Sequence, residues 1–263
     1  MWQLSTMPIL SRSARGSSRP STSTRDSRRK VSPSGCRSSS STVRSRLAGG
    51  FWTSAAERGF ARAIAEVASA VVTGIDYSER FIAFARDEPP PSRGTVEWKV
   101  GNAEALPVAD GSFDRVLLSL VLHQLRHPDR AVVEAFRVLA AGRRVVVRTV
   151  APEDVASRVP HRFFPTMAAT DAERMPPLDT IETYLRDAGF MAIDRRRVSR
   201  DSKVNLAHEE RQMLVEARGR YSFIPASEID AGMQLMRAEA KRKEGDWLDP
   251  RPAYFIAASK PAD

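Results

Sequence analysis

From residue 60 onward, short apolar runs alternate with amphipathic stretches. FARAIAEVA (60–68) sets Phe60, Ile64 and Val67 on one face of a helix. AVVTGID (70–76) is an apolar run of strand length. SERFIAFARDE (78–88) opens on a serine cap and carries Phe81, Ile82 and Ala85 at helical spacing. After the breaker PPPSRG, TVEWKVG (95–101) predicts a strand. DRVLLSLV (114–121) is apolar on both faces, the pattern of a central parallel strand. PDRAVVEAFRVLAAG (128–142) predicts a helix with Pro and Asp at its start and Gly at its end, and RRVVVRTV (143–150) a further strand. Alternation with short connections predicts a doubly wound, mostly parallel α/β sheet.

Beyond residue 150 the pattern loosens. LDTIETYLRDAGF (178–190) reads as a helix stopped at Gly189, and MAIDRRRV (191–198) as a strand whose DRRRV run (194–198) is a solvated face. Helical stretches near 205–218 and 226–243 precede a last strand, AYFIAAS (253–259). Residues 1–50 have neither strand nor helix periodicity and are rich in Ser and Arg, which predicts a disordered tail ahead of a domain spanning 51–263.

Charge sharpens that division. Residues 1–59 hold 11 basic and 2 acidic side chains, the whole of the net +9, whereas the other 30 basic and 30 acidic residues cancel. A basic binding face on the folded part is thereby disfavoured. Cys36 is the only cysteine, so neither an intrachain disulfide nor a cysteine metal cage can form, and no metal is expected. No apolar run reaches the roughly 18 residues of a membrane helix. The expectation is a soluble, cytoplasmic protein. The tail itself has three readings: a transit peptide, a basic arm that touches nucleic acid, or an out-of-frame translation.

In a doubly wound sheet, ligands lie beyond the carboxyl ends of the strands. The strand at 70–76 ends in Asp76, followed by Tyr77. An acid there can accept hydrogen bonds from both ribose hydroxyls of a nucleoside cofactor, or can simply open the next helix. The next strand runs into GNAEALPVADGSFD (101–114). Together with VTGIDYS before it and LLSLVLHQLRHPDRAVVEAFRVLAAGRRVVV after it, this segment resembles the class I S-adenosylmethionine-dependent methyltransferases. Their pattern is D-A-E-x-L-P-F-x-D-x-S-F-D, then a strand, then R-V-L-x-P-G-G. The resemblance covers about residues 60–150 well and 151–263 more loosely.

The resemblance implies a Rossmann-like sheet with S-adenosylmethionine as cofactor. Asp76 would hold the ribose, Tyr77 would flank the adenine, and Asn102 with the Ala103 backbone would meet the adenine amino group. Asn stands where the family more often has Asp, which keeps an acceptor oxygen but implies weaker recognition. Ser119 and Leu120 would line the methionine portion, while Phe113 and Asp114 would be structural. Ala140, Ala141 and Gly142 replace the usual P-G-G turn. The implied reaction is in-line displacement at the sulfonium methyl group, for which a general base is optional. His123, just after the fourth strand position, is the catalytic candidate, with helix packing as its plainer reading. His127 reads as a loop residue. His161 belongs to a lid segment and His208 to a cap helix, neither with a nameable partner.

The family opens its domain with a strand and glycine turn of the kind V-L-D-V-G-C-G-T-G. Here GFWTSAAERG (50–59) stands in that place. When each codon is read from its third base, Trp52–Thr53 gives GAC, aspartate, whatever codons were used. The neighbouring codon pairs permit the rest of the motif, ending in Gly59, which lies 17 residues before Asp76. The expectation is that residues 1 to about 58 are translated out of frame, so that the first strand is lost or disordered and Gly59 is what remains of the cofactor turn.

The expected protein is thus a methyltransferase for a small-molecule acceptor, impaired in this chain by the lost turn. Lid segments at 151–177 and 205–243 would cover the acceptor, and Phe163, Phe164 and Met167 point to a partly apolar one. Two other classes stand beside it: an inactive remnant or cofactor-free binding module, and a nucleic-acid methyltransferase guided by the tail. A nicotinamide dehydrogenase suits Asp76 but not the 101–114 segment.

Overall fold

The computed structural model describes residues 51–52, 58–216, 222–242 and 247–262, all within one compact unit. The expected tail, residues 53–57 of the altered stretch, and residues 217–221 and 243–246 of the second lid segment lie outside the described residues.

The chain begins with β1 (Phe51–Trp52), then α1 (Arg58–Ala68), β2 (Val71–Asp76), α2 (Glu79–Asp87), β3 (Thr95–Val100) and β4 (Phe113–Ser119). It continues with α3 (Pro128–Val138), β5 (Leu139–Thr149), the single turn α4 (Pro152–Val155), α5 (Pro165–Arg174) and α6 (Leu178–Asp187). A long ribbon, β6 (Met191–Val204) and β7 (Trp247–Ser259), closes the sheet, with α7 (Leu206–Glu216) and α8 (Ala226–Arg242) inserted between its strands.

Two ladders form: β1-β2-β3, all parallel, and β4-β5-β7-β6, in which β4 and β5 are parallel and β7 is antiparallel to both neighbours. β1 pairs Phe51 with Gly74 and Trp52 with Ile75, and its Cα atoms lie within 8 Å of β4. Of the strand read from the sequence as lost, Phe51 and Trp52 are among the described residues and pair in parallel with β2.

Helices cover both faces. On one, α3 and α6 pack on Val116, Leu118, Val145 and Val147. On the other, α1 packs on Val72, Val96, Trp98 and Leu117. Here the expected apolar stripe is corrected: Ala61 and Ala65 are the fully buried residues of α1, while Phe60 and Val67 are 38% and 88% exposed. The reason is that the sheet meets the helix along these two alanines. At its end the helix meets Gly94, at φ +69°, whose Cβ position would press on the Ala65 and Ala70 carbonyls.

The helix expected over 128–142 ends at Val138, and β5 begins at Leu139. The β4–β5 register passes from Phe113↔Leu139 to Arg115↔Arg144, so Ala140–Arg143 bulge out, with Gly142 at φ +70°. The last two strands are longer than their patterns predict. Thr149, the end of β5, lies opposite Tyr254, so Trp247–Ala253 and Val198–Val204 overhang the carboxyl edge of the parallel strands. A second apolar cluster gathers at that overhang, with Phe164, Met167, Val204, Met233 and Met236 at its centre. Among the described residues no helix is long and apolar enough to cross a membrane.

Candidate functional site

The carboxyl edge of β2 and β3 carries the first group of expected residues. Asp76 is 6% exposed at the end of β2 and accepts a hydrogen bond at Oδ1 from the Ser78 N–H, at 2.8 Å. Ser78 in turn caps α2 by accepting the Phe81 N–H. Burial pushes the Asp76 carboxyl up from 3.8 to about 6, with the Ser78 bond opposing. Tyr77 is 78% exposed beside it.

Asp76 pairs with Val100, and the Gly101 N–H donates to the Asp76 carbonyl at 2.9 Å, which places Asn102 next to the acid. Gly101 is needed there, since a Cβ would press on Ile75 Cγ2 and Pro107. Asn102 Oδ1 accepts the Glu104 N–H at 2.9 Å, and Ala103 is buried behind it.

Sequence reasoning missed what holds this loop. Glu104 accepts the His127 N–H at 3.0 Å, and Glu134, on α3, accepts the Leu106 N–H at 2.6 Å. Arg137, one turn on, donates to the Leu106 and Val108 carbonyls, to Asp110 at 2.6 Å and to Glu134. The Arg137 guanidinium holds the Glu134 carboxyl below its ordinary range. The available signal was the spacing of Glu134 and Arg137, which share one helix face.

The second group lies across β1, at the ends of β4 and β5. Ser119 is fully buried and accepts from Arg148 Nη1 at 3.1 Å, and the Arg148 guanidinium lies 5.3 Å from the centre of the Phe60 ring. Leu120 has φ +48°, a left-handed conformation that costs a bulky residue roughly 1 kcal/mol or more, and its N–H donates to the Arg148 carbonyl. His123 is half-buried in the 3₁₀ turn Leu122–Gln124 that follows. Gly59 is exposed in the first turn of α1, with nothing within 4 Å of where a Cβ would stand.

The edge thus brings Asp76, Asn102 and Ala103 together on one side of β1, and Ser119, Leu120 and His123 on the other. The first side offers groups that could hold a nucleoside: Asp76 keeps acceptor capacity beyond its bond to Ser78, and Asn102 and the Ala103 backbone stand beside it. Phe163, Phe164 and Met167 are buried within the second cluster. The 194–198 run is solvated as expected, with Arg195, Arg196 and Arg197 paired to Asp179, Asp194 and Asp154.

Residues 55–147 match the family described as Methyltransferase domain. A ubiquinone/menaquinone biosynthesis C-methyltransferase UbiE from Methylobacterium nodulans is 34% identical over 85 residues, 32% of this chain and 34% of that protein. A UbiE from Escherichia coli O1:K1 / APEC is 29% identical over 156 residues, 51% of this chain and 61% of that protein. The chain therefore spans less than two thirds of these curated relatives. Among solved structures, the [4+2]-cyclase SpnF superposes with a TM-score of 0.52 at 20% identity, covering 84% of this chain and 77% of that one. The YcgJ protein of Bacillus subtilis gives 0.52 at 14% identity, covering 84% and 94%. These likenesses establish the shared fold.

Proposed function

We propose that this chain, which carries a class I S-adenosylmethionine-dependent methyltransferase domain, descends from an enzyme that methylates a small-molecule acceptor, and that its own cofactor binding is impaired. The observation that carries the first half is the edge of β2 and β3, where a buried acid and a braced loop together suit a nucleoside. When bound, the cofactor supplies a sulfonium methyl group already activated for displacement. The chain's task is then to hold and orient. Asp76 would accept both ribose hydroxyls, Asn102 and the Ala103 backbone would meet the adenine, and Tyr77 would lie along it. Ser119 and Leu120 would line the methionine side, with His123 facing the acceptor. The second apolar cluster, built from the 151–177 and 205–243 segments, would be the cap over that acceptor.

The impairment rests on the stretch before α1. FWTSAAERG has one glycine, its last residue, where the family's turn has three. A backbone that carries side chains cannot approach the cofactor as closely as glycine does. The family match opens at residue 55, inside this stretch. The late opening of that match supports a frame that is out of step through the strand that would precede it. Isothermal titration of S-adenosylmethionine decides the matter. The frame-restored protein is expected to bind at least about tenfold more tightly than this chain. Equal binding by the two would refute the impairment, and no binding by either would favour a cofactor-free module. Sequencing across codons 45–65 tests the frame itself, and an intact frame there overturns it.

A further inference from the structure

The first ladder ends at β3, which has β2 on one side and, among the described residues, no strand on the other. The Thr95 N–H donates to the Ala70 carbonyl and the Gly101 N–H to the Asp76 carbonyl, so the odd-numbered residues turn their backbone groups towards β2. In a parallel strand the residues between them turn the other way, so Val96, Trp98 and Val100 present N–H and C=O groups at the open edge. Arg86, on α2, confirms the direction by donating from Nη2 to the Trp98 carbonyl at 2.7 Å. A carbonyl oxygen has a second lone pair, so Trp98 can still accept another bond. Side chains alternate as well. Val96 and Trp98 pack against the α1 cluster, and Val100, on the same face, is 42% exposed. Thr95, Glu97 and Lys99 lie exposed on the other face. Neither Glu97 nor Lys99 has a hydrogen bond or ion pair among the described residues.

An antiparallel neighbour joins outward-facing residues in directly opposed, hydrogen-bonded pairs. A second copy of β3 satisfies this in few registers. With Trp98 opposite Trp98, Val96 faces Val100, and between them Glu97 faces Lys99 and Lys99 faces Glu97. Sliding the copy by one step that keeps outward residues paired sets Glu97 against Glu97 in one direction and Lys99 against Lys99 in the other. The register of greatest overlap is therefore also the one in which each charge meets its opposite, at cross-strand contact distance. β6, at the far end of the second ladder, differs. It carries Arg195, Arg196, Arg197, Arg200 and Lys203 against Asp194 and Asp201 alone, an excess of positive charge that repels a copy of itself.

We propose that the open edge of β3 binds the same edge of a second copy of this chain, as a two-fold antiparallel pair centred on Trp98. Two-fold symmetry makes each favourable contact occur twice, so Glu97 and Lys99 form two ion pairs across the seam, and each Val100 is covered by Val96 of the other copy. A ladder of six residues a side is a small interface, and the dimer is accordingly weak, with a Kd of about 10–100 μM.

Sedimentation equilibrium of the full chain, in about 0.15 M salt and up to about 0.3 mM protein, tests the pairing. The unaltered chain is expected to pass from monomer to dimer over this range. Glu97→Lys sets lysine against lysine at both charged pairs, and Lys99→Glu sets glutamate against glutamate, so each variant should dimerise at least about tenfold less well. An equal mixture of the two variants restores opposite charges across the seam and should recover the dimer, as should the double variant carrying both substitutions. That recovery separates a lost contact from a lost fold. A monomeric unaltered chain, association that neither substitution weakens, or a loss that neither the mixture nor the double variant recovers would each overturn the proposal.

Discussion

Asp76 places stability and the proposed ligand contact in opposition at a single carboxyl group. Its folded value of about 6 lies above the ordinary 3.8, so the folded chain holds the proton more tightly than the unfolded one. Stability is therefore greatest below about pH 4, falls as pH rises towards 6, and stays lowered above that. The difference between the two values corresponds to roughly 3 kcal/mol. Thermal melts from pH 4 to 8 are expected to fall less between pH 4 and 6 in Asp76→Asn than in the unaltered chain. That variant should be more stable at pH 7 by up to about 3 kcal/mol, yet bind nucleoside less well, because an amide replaces the charged acceptor. A melt of Asp76→Asn that tracks the unaltered chain across this range would contradict the assignment. The strained φ of Leu120, across the edge, is a second point at which this rim is not built for stability alone.

Among the elements, α3 does more than cover the sheet. Through Glu134 and Arg137 it fixes the backbone of the loop that follows β3, and thereby Asn102 and Ala103. Arg137→Ala removes every one of these guanidinium bonds and leaves two loop carbonyls to find other donors. The expected loss is about 2–3 kcal/mol, read from the urea midpoint, and a loss under about 0.5 kcal/mol would mean that the loop holds itself. The element pattern was largely legible in the sequence. Wherever an apolar run had one clear period, as in DRVLLSLV and SERFIAFARDE, the strand or helix formed where expected. The α1 face was misjudged because the sheet meets the helix along Ala61 and Ala65 and not along its larger Phe60 and Val67. LAAG has helix-forming composition, but the sheet draws it into β5. The brace at Glu134 and Arg137 and the bond between His161 and Asp171 were hidden for another reason. Each joins residues through tertiary packing, which no local spacing encodes on its own.

At the scale of the whole molecule, the sheet consists of two ladders. β2 and β3, with α1 and α2, make one part, and β4, β5, β7 and β6 the other. Among the described residues, Phe51 and Trp52 pair with β2 and lie beside β4. The nucleoside side of the site belongs to the first part, and its loop is anchored to the second through Glu104, Glu134 and Arg137. That anchorage does not pass through β1.

The loop clamp therefore has a consequence for selectivity. Under the proposed function, with purine and sugar seated at the edge of β2 and β3 and the glycine turn lost, the amino-acid tail should be cargo that the chain does not read. Adenosine and S-adenosylmethionine should then compete on nearly equal terms, within about threefold in calorimetric displacement, whereas the frame-restored protein should prefer the full cofactor by more than about tenfold. A strong preference for the full cofactor in the chain as it stands would mean that the tail has found another hold. Under the proposed function, such a chain would hold a nucleoside without favouring the methyl donor over it.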